Sequence, residues 1–412
     1  MIHLNRDGAW AGGFFTIWTG QTLSSLGTQV AQFALVWWLT EKTGSATILA
    51  TSLLVAYLPE VFLAPIIGTL NDRWNRRIVM IISDTLVAIA MAGLAGLFWT
   101  GIIEIWHIYA VNFLASIGRA FQGLAMITST PLMVPEKHLA RIQGTNQTLH
   151  GVLSMGGPPL GALALAVFEI HIILAIDVLT AMLAIGPLLF IMIPQPKRME
   201  GKHNPGSGIW ADMLGGFRYL WRWTGLRNLI LIAAVLNIFG NTKMTISPLL
   251  ITDHFNGGAA ELGWFNSAWG AGIVLGGLLV GAWGGFRRRI LTTIFGWIVY
   301  GIGTILVGIA PHTRLTLAIT GIALSGVGSS LINAPLRALL QANVDPHLQG
   351  RVFGALHSSV QFTTMLGLIV IGPVTDVFGP QPWFLTGGLL TLVLGTSARM
   401  IPSVVHIEDK EP

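Results

Sequence analysis

Long apolar runs, separated by short polar loops, cover most of this 412-residue chain. A helix needs about 20 mostly apolar residues to cross a bilayer. On that rule the sequence predicts twelve transmembrane helices, over residues 12–39, 45–70, 78–100, 106–130, 146–168, 171–193, 228–251, 261–285, 290–310, 314–341, 352–378 and 381–402. Charged residues make up 10% of the chain, against about 25% in soluble domains. We therefore predict an all-α membrane protein embedded in the lipid bilayer.

The basic residues lie on one side of this predicted topology. All but four of the 23 Lys and Arg fall in alternate loops or at the helix ends beside them, the exceptions being Lys42, Arg119, Lys243 and Arg314. Basic residues are retained on the cytoplasmic side of a membrane. The pattern predicts a multi-pass protein of the cell inner (plasma) membrane with both termini in the cytoplasm. It also explains the basic pI of about 9.8 without a nucleic-acid partner.

A charged segment with the sequence GTLNDRWNRR, residues 68–77, separates the second and third runs. Its arginines suit a cytoplasmic loop, but its carboxylate needs another explanation. The segment resembles the G-x-x-x-D-R-x-x-R-R signature between helices 2 and 3 of the major facilitator superfamily of transporters. That resemblance implies a cytoplasmic gate that includes the start of helix 11; its candidate residues are Gly68, Asp72, Arg73, Arg76, Arg77 and Arg351. The alternative is that the arginines only orient the loop and contact lipid phosphates.

The two halves of the chain repeat weakly. The sequence LASIG at 114–118 resembles LSGVG at 324–328, and GAWGGFRRR at 281–289 takes the place of the charged segment without its acid. We predict a major facilitator fold of two pseudo-symmetric six-helix bundles, 1–193 and 228–412, the second with a short cytoplasmic tail. A cytoplasmic linker with an amphipathic helix, 194–227, joins them.

Charged side chains inside membrane spans cost about 2.5–3.5 kcal/mol each on insertion scales, so they indicate function or pairing. Candidates for proton coupling are Glu60 in helix 2, Arg119 in helix 4 and Asp177 in helix 6. Arg119 opens the sequence RAFQG, which resembles the R-x-x-Q-G motif of proton-coupled members of the superfamily. Two interpretations stay open: a structural pair of Glu60 with Arg119, or Glu60 as the proton-binding group. Asp177 likewise either carries the proton or forms a structural pair.

Helix 5 contains Gly157, Pro158 and Gly161, a GPxxG core that resembles the motif of exporters in the superfamily. Its upstream glycine spacing departs from the full pattern, and a kink that serves packing alone is the alternative. Helices 1 and 7 carry polar residues that a lipid-facing helix would not tolerate. These are the candidate residues of a substrate cavity: Gln21, Thr28, Gln29, Gln32, Asn237 and Asn241.

Several longer segments, among them FTIWTGQ at 15–21 and HFNGG at 254–258, are similar to bacterial macrolide-efflux-type transporters, in the third drug:proton antiporter group of the superfamily. The resemblance implies a secondary active transporter that works by alternating access as a monomer. Its expected partners are protons and an amphipathic small molecule, macrolide-like or another drug. The alternatives are a facilitator or importer of a metabolite without proton antiport, and a membrane-embedded enzyme or scaffold.

The sequence contains no phosphate-binding loop, no HExxH motif and no metal-ligand spacing among its His residues, and it has no Cys. We therefore expect no cofactor, no metal and no enzymatic activity.

Overall fold

A computed structural model of the chain describes residues 9–195, 221, 223–240, 242–344 and 346–408. The long helices in these ranges are α1 Ala9–Thr43, α2 Ala46–Arg73, α3 Arg76–Thr100, α4 Ile105–Met133, α5 Glu136–Val167, α6 Ile170–Phe190, α7 Thr224–Gly240, α8 Ala259–Trp283, α9 Arg289–Ile309, α10 Leu315–Asn343, α11 Pro346–Phe378 and α12 Gln381–Ala398. Shorter turns lie at Thr242–Thr245 (3₁₀), Ser247–Leu249 (α), Leu250–His254 (π) and Pro402–Val405 (α). The all-α prediction is confirmed, and these helices fit the twelve predicted spans.

Ten segments within the described helices are long and apolar enough to cross a membrane; α1 and α12 supply none of them. For α1 the reason is its row of glutamines, including Gln21, Gln29 and Gln32, which lowers the hydropathy of a 35-residue helix. A polar face on a helix of this length is tolerated in a membrane where it lies against protein or lines a water-filled cavity.

The chain divides into two compact units. Unit 1 contains Met1–Lys42 and Ser52–Lys202, and unit 2 contains Thr43–Thr51 and His203–Pro412. The first turn of α2 therefore packs within unit 2, although the helix continues in unit 1. The predicted amphipathic helix of the linker lies outside the described residues.

Within unit 1, α1 and α6 approach closely at two glycines. A Cβ atom on Gly20 would lie 2.9 Å from the carbonyl oxygen of Leu183, and one on Gly27 would lie 2.2 Å from Thr180 Oγ1. Small residues at such crossings let helix backbones meet in a membrane, where packing replaces the hydrophobic effect as the driving force. The contact places the polar face of α1 beside α6.

Within unit 2, α8 and α10 interlock in the same way. A Cβ on Gly272 would lie 2.0 Å from the carbonyl oxygen of Ala323, and one on Gly326 would lie 2.4 Å from that of Trp269. Across the same contact, Ser330 Oγ donates to the carbonyl oxygen of Ile273 at 2.7 Å. The atoms that face Gly272 and Gly326 belong to the backbone, so they cannot make room for a larger residue by a change of rotamer.

The seventh helix differs from its prediction. A continuous span was expected over 228–251, but α7 ends at Gly240 and gives way to 3₁₀, α and π turns. Lys243 lies in this irregular part with 1% of its surface exposed. Its Nζ donates to Thr304 Oγ1 at 2.9 Å and lies 4.1 Å from the centre of the Tyr300 ring and 5.1 Å from that of Trp269. Aromatic faces and a hydroxyl, rather than a carboxylate, hold this charge in the described part of the chain.

Candidate functional site

A polar cavity of about 280 Å³ lies inside unit 1. Side chains from five helices, α1, α3, α4, α5 and α6, line it. Its charged or hydrogen-bonding members are Gln21, Ser24, Ser25, Thr28, Gln29, Asp84, Arg119, Gln122, His150 and Asp177. A polar site of this kind, enclosed by apolar spans, is the default position for binding or coupling in a membrane protein.

Three helices are joined at one end of this cavity through the amide of Gln21. Its Nε2 donates to Asp84 Oδ2 at 2.8 Å, and its Oε1 accepts from Gln122 Nε2 at 2.7 Å. Both ends of the amide are thus used, and the contact links α1 to α3 and α4. Gln21 is one of the predicted cavity residues, whereas Asp84 is not among the residues that the sequence selected. The argument that singled out Glu60, an acid inside an apolar run, applies equally to Asp84.

Asp177 lies in α6 with 3% of its surface exposed. Its Oδ1 accepts a hydrogen bond from Thr28 Oγ1 at 3.0 Å. Gly27 makes this contact possible, because a Cβ there would lie 3.1 Å from the same Asp177 oxygen. Two residues predicted separately, Thr28 for the cavity and Asp177 for proton coupling, therefore meet in the structure.

Arg119 stands between two cavities. Besides the polar cavity it lines a second one, of about 320 Å³, which also contains Tyr57 and Glu60. Its guanidinium interacts electrostatically with Glu60 and Asp177. Within the described part of the chain no ion pair joins it directly to Glu60, so the predicted structural pair is not formed as a close contact. Arg119 is the cation shared by the acids of α2 and α6.

Comparison with known proteins identifies the family of this chain. A family profile described as "transmembrane secretion effector" matches residues 10–411. The chain belongs to this branch of the major facilitator superfamily. It is therefore a transporter.

The relatives of this major facilitator transporter include efflux proteins. It is 30% identical to macrolide efflux protein A of Streptococcus pyogenes over 401 residues, covering 97% of this chain and 98% of that protein. It is 24% identical to the multidrug efflux pump Tap of Mycobacterium tuberculosis over 415 residues, covering 96% and 95% of the two chains.

Solved structures show the same fold at lower identity. A bacterial homolog of the human lysosomal transporter Spinster has a TM-score of 0.71 at 12% identity, over 99% of this chain and all of the other. The nucleoside transporter NupG has a TM-score of 0.67 at 15% identity, over 97% and 99%. These likenesses establish the fold and leave the substrate open.

The exporter-like motif of the transporter packs against α1. Gly157 lies beside Gln29, whose Oε1 would be 3.0 Å from a Cβ on the glycine, and Gly161 lies beside Phe33, whose Cβ would be 2.8 Å away. Pro158 lies inside α5 between them. Gln29 faces the polar cavity, while Gln32 is half-buried and is not among the residues that line it. The motif thus positions the polar face of α1.

Replacing Gly161 with alanine is expected to lower stability by about 1–3 kcal/mol, because the added methyl group overlaps a Cβ that cannot rotate away. Thermal unfolding of the purified transporter measures the effect. Gly156→Ala is the matched control on the same helix, since a Cβ there meets nothing within 4 Å. Equal unfolding temperatures for the two variants would contradict the packing role of the motif.

In unit 2, Asn237 of α7 is held by α11. Its Nδ2 donates to the carbonyl oxygen of Val360 at 3.0 Å and to Thr363 Oγ1 at 2.9 Å. It lines a cavity of about 510 Å³ whose other walls are mainly apolar and include the cationic Arg337. Asn241, the other predicted cavity residue of this half, lies outside the described residues.

Two arginines of the charged segment contact helix ends in their own unit. Arg76 Nη1 donates to the carbonyl oxygen of Thr128 in α4 at 2.7 Å. Arg77 Nη2 donates to that of Leu189 in α6 at 2.6 Å. Leu189 is in the last turn of α6, where carbonyl groups carry partial negative charge, so the Arg77 contact is also favoured by the helix dipole. The two contacts fasten α3 to α4 and α6. The side chains of Gly68, Asp72, Arg73 and Arg351 lie outside the description, and their role in a gate stays a prediction.

Among the described residues, no group of three or more His, Asp or Glu is placed to hold a metal ion.

Proposed function

We propose that this transporter is a secondary active antiporter that expels amphipathic small molecules in exchange for protons by alternating access. One observation carries the proposal. Two carboxylates, Asp84 and Asp177, line a cavity within the membrane spans together with a single guanidinium, that of Arg119. Ionised groups at this depth are costly, and a transporter that keeps two acids there has a use for their charge.

The balance of charge suits antiport. Counting only the acids and the guanidinium that line this cavity, and not Glu60 in the neighbouring one, two ionised carboxylates and one arginine leave one negative charge in excess. A proton neutralises that charge, and so does a cationic group on a substrate. Because either one suffices, binding of one disfavours binding of the other, which is the requirement for exchange. Asp177 is our candidate for the proton-binding group, because Thr28 fixes its position and Arg119 acts on its charge.

The substrate class rests on the relatives. One is a macrolide efflux protein and another a multidrug efflux pump. We propose macrolide-like or other amphipathic drugs for this chain. The mainly apolar cavity of unit 2, with Asn237 and Arg337 in its wall, is consistent with an amphipathic ligand.

The remaining details are part of the same proposal. Both termini lie in the cytoplasm, the protein resides in the plasma membrane, and one chain is the transporting unit. Asp72 and the start of α11 act as the cytoplasmic gate.

Collapse of the proton gradient is expected to abolish uphill efflux. The transporter is reconstituted in proteoliposomes, and a macrolide and a lipophilic cationic dye are offered with and without an imposed pH gradient. Accumulation should fall to the level of empty liposomes when a protonophore is added. A gradient of one pH unit supports about a tenfold concentration ratio for one-to-one exchange.

The same experiment separates the alternatives. Movement that continues unchanged with the protonophore, and only down the substrate gradient, would show a facilitator instead of an antiporter. Failure to move any compound of the panel would contradict the proposed substrate class.

A further inference from the structure

Asp376 is an acid at an unexpected position. It lies in the last turn of α11, where the helix dipole is negative and disfavours a carboxylate. The dipole of α11 therefore does not explain why an acid is found at this position. The explanation lies in the segment Thr43–Thr51, which packs with α11 inside unit 2.

The carboxylate of Asp376 caps the N-terminus of α2. Oδ1 accepts from the backbone N–H of Ala46 at 2.6 Å. Oδ2 accepts from the N–H of Thr47 at 3.2 Å and from Ser45 Oγ at 3.1 Å. The positive end of the α2 dipole thus faces a negative charge.

This cap completes the hydrogen bonding of the first turn. The first N–H groups of a helix have no partner within the helix. Here the N–H of Ile48 donates to Ser45 Oγ at 3.4 Å and that of Leu49 to the Ser45 carbonyl oxygen at 3.3 Å. The N–H groups of Ala46 and Thr47 remain, and Asp376 accepts from both.

A second feature of α11 fits the same contact. Gly372 lies four residues before Asp376, on the same face of the helix. A Cβ on Gly372 would lie 2.7 Å from the Cα of Thr47. The backbones therefore meet here, and the carboxylate reaches the α2 N-terminus because of that close approach.

We propose that Gly372 and Asp376 form a latch that holds the first turn of α2 against α11 and that opens and closes during transport. Asp376 is exposed to solvent, so water replaces the capping bonds when the latch opens, and the contact is reversible. The helix α2 leaves unit 2 after Thr51, so the latch holds the part of α2 that belongs to unit 2. The opening and closing of the latch during transport rests on the proposed alternating access, whereas the contact itself does not.

The absence of Cys from the chain gives a direct test. Ala46 has none of its surface exposed, so Ala46→Cys reports on the latch. The protein is labelled in lipid nanodiscs, which leave both faces of the membrane accessible. There, Asp376→Ala is expected to speed the reaction of the cysteine at position 46 with a water-soluble maleimide by roughly five- to tenfold, the effect of losing a helix cap. Gly372→Val, which wedges the helices apart with the carboxylate intact, should give the same increase.

Two controls isolate the contact. Asp253→Ala removes another exposed acid of unit 2, one that contacts Thr252 instead of α2, and should leave the labelling rate unchanged. Glu41→Cys, at an exposed position before the latch, should react equally fast with and without Asp376.

Hydrogen exchange gives a second, independent measurement. In Asp376→Ala, and to a smaller degree in Asp376→Asn, amide exchange should accelerate in residues 43–51 and stay unchanged in α9. An unchanged labelling rate in both Asp376→Ala and Gly372→Val would overturn the latch. Faster exchange throughout unit 2 would also overturn it, because Asp376 would then stabilise the whole unit and not this contact in particular. Neither measurement needs a substrate or a proton gradient, so failure of antiport leaves this result standing.

Discussion

Replacing Asp177 with asparagine is expected to abolish proton-driven efflux while substrate exchange continues. Asparagine has the shape of the protonated acid but cannot lose a proton, so the coupling group stays in one charge state. Uphill transport into proteoliposomes should fall by at least about tenfold, which corresponds to a free-energy difference of about 1.4 kcal/mol. Counterflow, in which labelled substrate exchanges for unlabelled substrate without net proton movement, should remain measurable.

Asp84→Asn is the comparison within the same cavity. Asp84 accepts from the Gln21 amide, so its loss is expected to weaken substrate binding and to preserve the dependence on the proton gradient. Glu60→Gln tests the acid on the other side of Arg119. Uphill transport by Asp177→Asn with unchanged pH dependence would refute Asp177 as the proton site, and loss of coupling in Glu60→Gln alone would transfer the role to α2.

Replacing Gly272 with alanine is expected to disrupt unit 2. The new methyl group would lie 2.0 Å from the carbonyl oxygen of Ala323 and 3.0 Å from the Cα of Gly326. Both are backbone atoms, so α8 and α10 must move apart as whole helices. Overpacking of this kind typically costs about 1–3 kcal/mol, and we expect the upper part of that range. Yield of monodisperse protein and the temperature of aggregation measure it.

Gly277→Ala on the same helix separates packing from helix propensity. Gly277 is exposed, and a Cβ there meets nothing within 4 Å. Alanine is favoured over glycine in a helix interior by up to about 1 kcal/mol, so this variant should be as stable as the parent or more so. If both variants behaved alike, the α8–α10 crossing would not be the constraint that we infer.

The sequence predicted the membrane-crossing part of each helix better than its ends. The span predicted at 106–130 lies within α4, Ile105–Met133, and that at 171–193 matches α6 to within three residues. Predicted helix 5 started at 146, whereas α5 starts at Glu136. Hydropathy marks the residues that lie in lipid, and the polar first turns of α5 carry no such signal. The break after Gly240 was missed because 3₁₀ and π turns keep the same apolar composition as an α-helix.

The candidate site was predicted residue by residue, but its contacts were not. Burial cost alone selects Asp177 and Arg119, and polarity alone selects Gln21 and Thr28. Which of them meet depends on how far each helix is rotated about its axis. That rotation is set by close contacts such as Gly27 against α6, which a list of spans does not contain. The pairing of Gln21 with Asp84 therefore became visible only in the structure.

The cage around Lys243 has a consequence for how the chain is made. A ribosome delivers α7 and its irregular extension to the membrane before Trp269 in α8 and Tyr300 and Thr304 in α9 have been translated. At that moment the ammonium group has none of the partners that surround it in the finished protein. A lone lysine in lipid raises the free energy of insertion, so this segment enters the membrane at a higher free-energy cost before the two later helices arrive than after. The contacts that offset this cost are complete only once α9 has been made.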